Sequence, residues 1–208
     1  YDMNEEKINK ASAPQATNEG VYHLQLKRGE VPGYVILPGA PERASVIAKN
    51  WENAKEIAFN REYRTVTGTF KGIEMAATST GIGGPSSEIC IHELNSVGVH
   101  TCIRVGTTGC IVPDFDLGDL IIPAACVRKD GTSQSYVEPE FPAFANPYVV
   151  MALVQACENL GYRYGIGLDY TVGSFYIGQG RPLNEDKSGF WPSHAEKIIP
   201  DLQTAGVT

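Results

Sequence analysis

Apolar strands that run straight into glycine turns recur along this 208-residue chain. Tyr34-Val35-Ile36-Leu37 ends in Pro38-Gly39, and Pro41 is placed to open a helix. A second apolar run, Ile73 to Ser79, passes into Thr80-Gly81-Ile82-Gly83-Gly84, and a helix is expected from Pro85 to about Val97 before Gly98. A third, His100 to Val105, breaks into Gly106-Thr107-Thr108-Gly109. Strands that hand over to helices through tight turns specify an α/β chain.

The rest of the chain keeps this alternation. Residues 54–59 and 62–70 read as strands, as do 119–127 and 165–173. Residues 147–160 form the clearest helix: Asn146 can cap it and Pro147 suits its first position. Val149, Val150, Leu153, Val154, Cys157 and Leu160 make one apolar stripe before Gly161. A last helix is expected over 193–205. No repeat or second linker interrupts the pattern, so one domain is expected over 21–208, behind a polar, flexible tail at 1–20. The chain starts at Tyr1 and stops after Ala205-Gly206-Val207-Thr208, so the domain is expected to be incomplete at its C-terminus.

Composition removes several classes of function. A net charge of −7 argues against general binding to nucleic acid or an anionic membrane, so an anion site must be a local arginine cluster. No apolar stretch is long enough to span a bilayer. Cys90, Cys102, Cys110, Cys126 and Cys157 are odd in number, widely spaced and without a CxxC pair, which reads as buried reduced thiols and a cytoplasmic location. His23, His92, His100 and His194 show no ligand spacing, and no GxSxG nucleophile turn occurs.

Three segments carry chemistry. Ser79 to Ser86 and Arg104 to Gly109 combine glycines, whose backbone N–H groups can approach a ligand closely, with an arginine; that pairing suits an oxyanion such as phosphate. GxGxxG and GxxxxGK[ST] are both absent, which argues against dinucleotides and nucleoside triphosphates. Arg43 stands just inside the helix opened by Pro41, where it is either a solvated cation offset by Glu42 or part of an anion site with Gly39. Arg104 either faces water in a simple alternating strand or needs a charged partner. Phe175, Gln179 and Arg181 set an aromatic face beside an amide and a guanidinium. They are a surface loop, or a device that stacks and hydrogen-bonds a flat polar ring.

Five segments in the same order, Pro38 to Arg43, Arg61-Glu62-Tyr63, Ser79 to Ser86, Arg104 to Gly109 and Phe175 to Arg181, resemble the nucleoside phosphorylase family, and within it the branch that cleaves uridine. The resemblance runs from about Val21 through Val207. It implies one α/β domain whose mixed central sheet forms a distorted barrel flanked by helices. It implies that Gly39, Arg43, Arg104 and Thr107 bind phosphate, joined by Arg61 from a neighbouring subunit. His23, also from the neighbour, would meet the ribose 5′-hydroxyl; Phe175 would stack on the base, while Gln179 and Arg181 hold the uracil carbonyls and ring N–H. Arg104, Arg181 and Gln179 would carry catalysis. Glu62, Ile82 and Ser86 match positions that hold a monovalent cation, potassium, in some members. The implied assembly is a hexamer, a trimer of dimers. Ala40 departs from the acidic residue common in bacterial relatives, and the segment that grips the ribose hydroxyls is expected beyond Thr208.

The reaction so implied is reversible phosphorolysis, uridine plus phosphate giving uracil plus ribose 1-phosphate, with phosphate as co-substrate and no organic cofactor. Three other readings share the phosphate-turn pattern or the fold: a purine nucleoside phosphorylase, a phosphate-independent nucleosidase that would not need Arg43 and Arg104, and a non-catalytic binding relative.

Overall fold

The computed structural model describes residues 20–184 and 189–208. The tail expected at 1–20 therefore lies outside the described residues apart from Gly20. The chain divides into two compact units, one ending at Thr107 and one spanning Thr108–Thr208.

In the first unit, five strands form one sheet in the order β2-β3-β4-β1-β5. They are β1 (Tyr34–Leu37), β2 (Glu52–Asn60), β3 (Tyr63–Phe70), β4 (Ile73–Thr78) and β5 (Thr101–Arg104). β2, β3 and β4 are an antiparallel meander, whereas β1 runs parallel to both β4 and β5. Helices α1 (Pro41–Ile47) and α2 (Gly84–Ser96) complete the unit. The period of two along the strands separates two cores. Val35, Leu37 and Ala76 join Tyr63, Leu24, Leu26 and the α2 residues Cys90 and Leu94. Ile36 and Ala77, one position on, join Val66, Trp51 and the α1 residue Ala44. Each fully buried aliphatic side chain contributes about 1.5–3 kcal/mol by leaving water. The two cores thus cover both faces of the sheet.

The second unit holds β6 (Leu120–Lys129), β7 (Ala143–Phe144) and β8 (Tyr164–Val172) in the order β7-β6-β8, with β6 parallel to β8 and antiparallel to β7. Pro123 has no N–H to give the ladder, and the β6–β8 register slips between Pro123 and Ala125. Helix α3 (Pro147–Leu160) begins as the sequence indicates: the Asn146 side chain accepts from the Tyr148 and Val149 backbone N–H at 2.9 and 3.4 Å. It ends at Gly161 in the left-handed conformation, φ 71°.

The α/β class expected from the sequence holds, with strand and helix bounds mostly within a residue or two. The strands are hydrogen-bonded as two sheets, one in each unit. Four local expectations are corrected. The last helix is split into a 3-10 turn, Ser193–Glu196, and α4, Ile198–Thr204, because Pro200 is tolerated only within the first turn of a helix. β7, a two-residue strand, carries too short a pattern to be read from sequence. Leu160 is 69% exposed and lies off the buried stripe of α3. Cys90 and Cys157 are buried, but Cys102 and Cys110 are exposed: Cys102 shares the face of its register partner Val35 but lies on the edge strand β5, and Cys110 follows in the loop.

Candidate functional site

β4, β1 and β5 are mutually parallel neighbours, so the turns that follow them leave the same edge of the sheet. Ligands in open α/β sheets bind outside the carboxyl ends of such strands. Two of these turns are tied together: Thr80 N–H donates to the Pro38 carbonyl at 2.9 Å and Gly81 N–H to the Gly39 carbonyl at 3.0 Å. Gly81 has φ 70°, and a Cβ there would stand 2.6 Å from both Glu62 Cγ and Ser86 Oγ, so only glycine fits.

Arg104 is the last residue of β5 and lies opposite Leu37 in the register. Its Nη1 donates to the carbonyls of Leu37 and Val105 at 3.1 and 2.6 Å. Its Nη2 lies 3.4 Å from where a Cβ on Gly39 would stand. A Cβ on Gly106 would sit 2.6 Å from Nη1, so Gly106 leaves the guanidinium its room. Partial burial, and then the charge of Arg43, push the Arg104 guanidinium down from its ordinary value. Among the described residues, neither Arg43 nor Arg104 forms an ion pair. Arg104 is exposed in the alternating burial pattern of β5, yet half of its guanidinium is tied to backbone carbonyls. Its charge lies beside that of a second cation, Arg43, a combination that favours an anion.

The structure thus brings Gly39, Arg43 and Arg104 together. Thr107 follows Gly106 in the same exposed turn. Arg61 stands in the turn between β2 and β3 with φ 54°. His23 is held in place: its Nδ1 is 2.7 Å from Glu93 Oε1, and its ring meets Tyr63 edge-on. Ser86 Oγ, with one proton to give, lies 2.8 Å from Glu62 Oε1 and 2.6 Å from the Thr80 carbonyl. The backbone N–H of Glu62 and this Ser86 hydroxyl hold the Glu62 carboxyl below its ordinary value, against a smaller opposing effect of burial. Glu62 and Ser86 therefore present a carboxylate and a hydroxyl oxygen side by side, the donor type a hard cation takes. The Ile82 side chain is 96% exposed.

In the second unit, Phe175 leads into a 3-10 turn, Ile177–Gln179, that closes on Gly180 with φ 60°. Arg181 N–H donates to the Tyr176 carbonyl at 2.8 Å, folding Arg181 back so that its guanidinium lies 5.1 Å from the centre of the Phe175 ring. Tyr170 Oη donates to the Gly178 carbonyl at 3.4 Å and Gly178 N–H to Ser174 Oγ at 3.1 Å, which fix the turn carrying Gln179. A Cβ on Gly109 would stand 2.5 Å from Arg181 Nη2, so the glycine of the Thr108-Gly109 turn leaves this guanidinium its space. Phe175 is 57% exposed, an aromatic face open to a planar ligand.

Sequence reasoning missed Glu93, and took Ser79 only as the start of a glycine segment, without its bracing role. Ser79 Oγ donates to the Glu62 carbonyl at 2.6 Å and accepts from Arg64 N–H at 2.7 Å, joining β4 to the turn before β3. Both residues act across long sequence separations, and no local pattern marks them.

A family model described as the phosphorylase superfamily matches residues 34–205. A uridine phosphorylase from Thermococcus kodakarensis is 52% identical over 205 residues, covering 98% of this chain and 72% of that protein. One from Treponema pallidum is 41% identical, covering 84% of this chain and 65% of its own length. A guanosine phosphorylase from Halorubrum lacusprofundi is 34% identical over 74% of this chain and 64% of its own. The chain thus spans about two thirds to three quarters of the relatives it matches.

Proposed function

This chain belongs to the phosphorylase superfamily, and from that premise we propose that it catalyses the reversible phosphorolysis of uridine to uracil and ribose 1-phosphate, as a pentosyltransferase. The observation that carries the reading is the pair Arg43 and Arg104, two cations beside Gly39 with no carboxylate partner among the described residues. A hydrolase, which uses water, has no need of an anion site.

Phosphate is the co-substrate in this reading, held by Gly39, Arg43, Arg104 and Thr107. Breaking the glycosidic bond builds positive charge at the anomeric carbon and negative charge on the departing uracil. A phosphate oxygen forms the new bond to that carbon as the bond electrons leave on the base, which then takes a proton. Arg181 and Gln179 meet the charge that develops on the base, so their interaction strengthens towards the transition state. Phe175 stacks on the ring. Charge-assisted hydrogen bonds of this kind contribute about 1.5–3 kcal/mol each. No protein nucleophile or organic cofactor enters.

The same reading assigns His23 to the ribose 5′-hydroxyl and Arg61 to phosphate, both serving a neighbouring subunit in a hexamer built as a trimer of dimers. It assigns potassium to Glu62, Ile82 and Ser86, whose oxygen donors fit a hard monovalent ion. Residues 21–208 make one phosphorylase domain, supported by the single family match across both units. Five unbridged cysteines support a cytoplasmic location. Among the described residues no helix is long and apolar enough to cross a membrane.

Uracil release from uridine, with and without phosphate and with guanosine as the competing substrate, tests the proposal. Release that needs phosphate and prefers uridine is the expected result. Release without phosphate would make the protein a nucleosidase, and preference for guanosine would move it to the purine branch.

A further inference from the structure

Glu93, on α2, spends both carboxylate oxygens on one short segment 70 residues away in sequence. Oε1 lies 3.1 Å from the His23 backbone N and 2.7 Å from His23 Nδ1; Oε2 lies 3.0 Å from the His23 backbone N and 2.8 Å from Leu24 N. The side chains of His23 and Glu93 are 25% and 14% exposed. The Asn60 amide donates to the His23 carbonyl at 2.8 Å, and Tyr22 and Tyr63 meet the imidazole edge-on. Among the described residues His23 Nε2 has no hydrogen-bond partner.

A carboxylate only accepts hydrogen bonds, so the proton on His23 must sit on Nδ1. We infer that Glu93 is a positioning residue that fixes His23 as the Nδ1–H tautomer, so that Nε2 presents a lone pair and recognises its ligand as a hydrogen-bond donor. This rests on the proposed role of His23 at the ribose 5′-hydroxyl: the hydroxyl gives its proton to Nε2, and a substrate able only to accept at that position is rejected. The partner on the opposite ring nitrogen sets which nitrogen of a histidine is available.

Glu93→Gln inverts the arrangement. The one remaining oxygen is needed by the backbone N–H groups of His23 and Leu24, so the new amide N–H₂ faces Nδ1 and donates to it, driving the ring proton to Nε2. Two measurements on the protein carrying this chain decide the matter. Ring 15N shifts of labelled histidine, with His23 assigned by its loss in His23→Gln, are expected to show the Nδ1–H form in the parent and the Nε2–H form in Glu93→Gln. The ratio of kcat/KM for uridine to that for 5′-deoxy-5′-fluorouridine, which cannot donate at the 5′ position, is expected to fall about 2- to 10-fold in Glu93→Gln, the worth of one hydrogen bond.

A parent protein with the proton on Nε2 alone would overturn the inference even if the variant did not fold, and so would an unchanged substrate ratio in a folded variant. Failure of the parent to cleave uridine, with the Nδ1–H form intact, would instead overturn the proposed function and leave the Glu93–His23 geometry standing.

Discussion

Arg104 places its Nη2 3.4 Å from the point where a side chain on Gly39 would begin, while its Nη1 is occupied by the Leu37 and Val105 carbonyls. One half of the guanidinium is thus spent on the backbone and the other faces the glycine turn. Gly39→Ala puts a methyl group in that space without left-handed strain, because Gly39 has no positive φ. The KM for phosphate should rise about tenfold, the worth of one charge-assisted hydrogen bond, with little change in thermal unfolding. An unchanged KM would move phosphate away from this turn.

Arg104→Ala removes the charge itself. Phosphate-dependent uracil release should fall by about 100-fold or more, since two charge-assisted bonds are lost, while the circular dichroism spectrum stays that of the parent. Near-normal turnover in a folded variant would sink the phosphate assignment.

Arg181 folds over Phe175, and Gly109 leaves it room. Arg181→Ala should lower kcat with uridine far more than it weakens phosphate binding. Gly109→Ala, whose Cβ would meet Nη2 at 2.5 Å, should raise the KM for uridine by displacing the same group. Equal losses for both ligands would argue against a role in base recognition.

Asp130 sets a pH dependence in the second unit. Burial alone would raise its carboxyl, but the Ser133 hydroxyl and the backbone N–H groups of Ser133 and Thr132 outweigh that and hold it below its ordinary value of 3.8. A carboxyl lowered on folding adds stability that is present above about pH 4 and is lost as pH falls through its folded value. Ser133→Ala should cost about 1 kcal/mol in urea unfolding at pH 7 and move acid unfolding to higher pH. An acid midpoint equal to that of the parent would count against this account.

Cys90 is buried between α2 and the sheet, and burial pushes its thiol up to about 12. It should be silent to an aromatic disulfide reagent at pH 8 and titrate only in denaturant. Labelling of native Cys90, read by peptide mass, would show that this core opens.

Much of the architecture is written locally. The continuous apolar run Val35-Ile36-Leu37 suits a strand covered on both faces, Asn146-Pro147 opens α3, and Gly161 closes it; each is a short-range preference of backbone or side chain. The residue types around Gly39, Arg104 and Arg181 could likewise be read, because glycine and arginine report unusual backbone approach and charge. Their grouping could not. Parallel pairing of β1 with β4 and β5 carries Gly39, Gly81 and Arg104 to one edge, and pairing between distant strands leaves no periodic trace. Glu93 shows this most plainly. On α2 it is one more polar residue, and only packing of that helix against the segment at His23 turns it into the group that decides where a histidine keeps its proton.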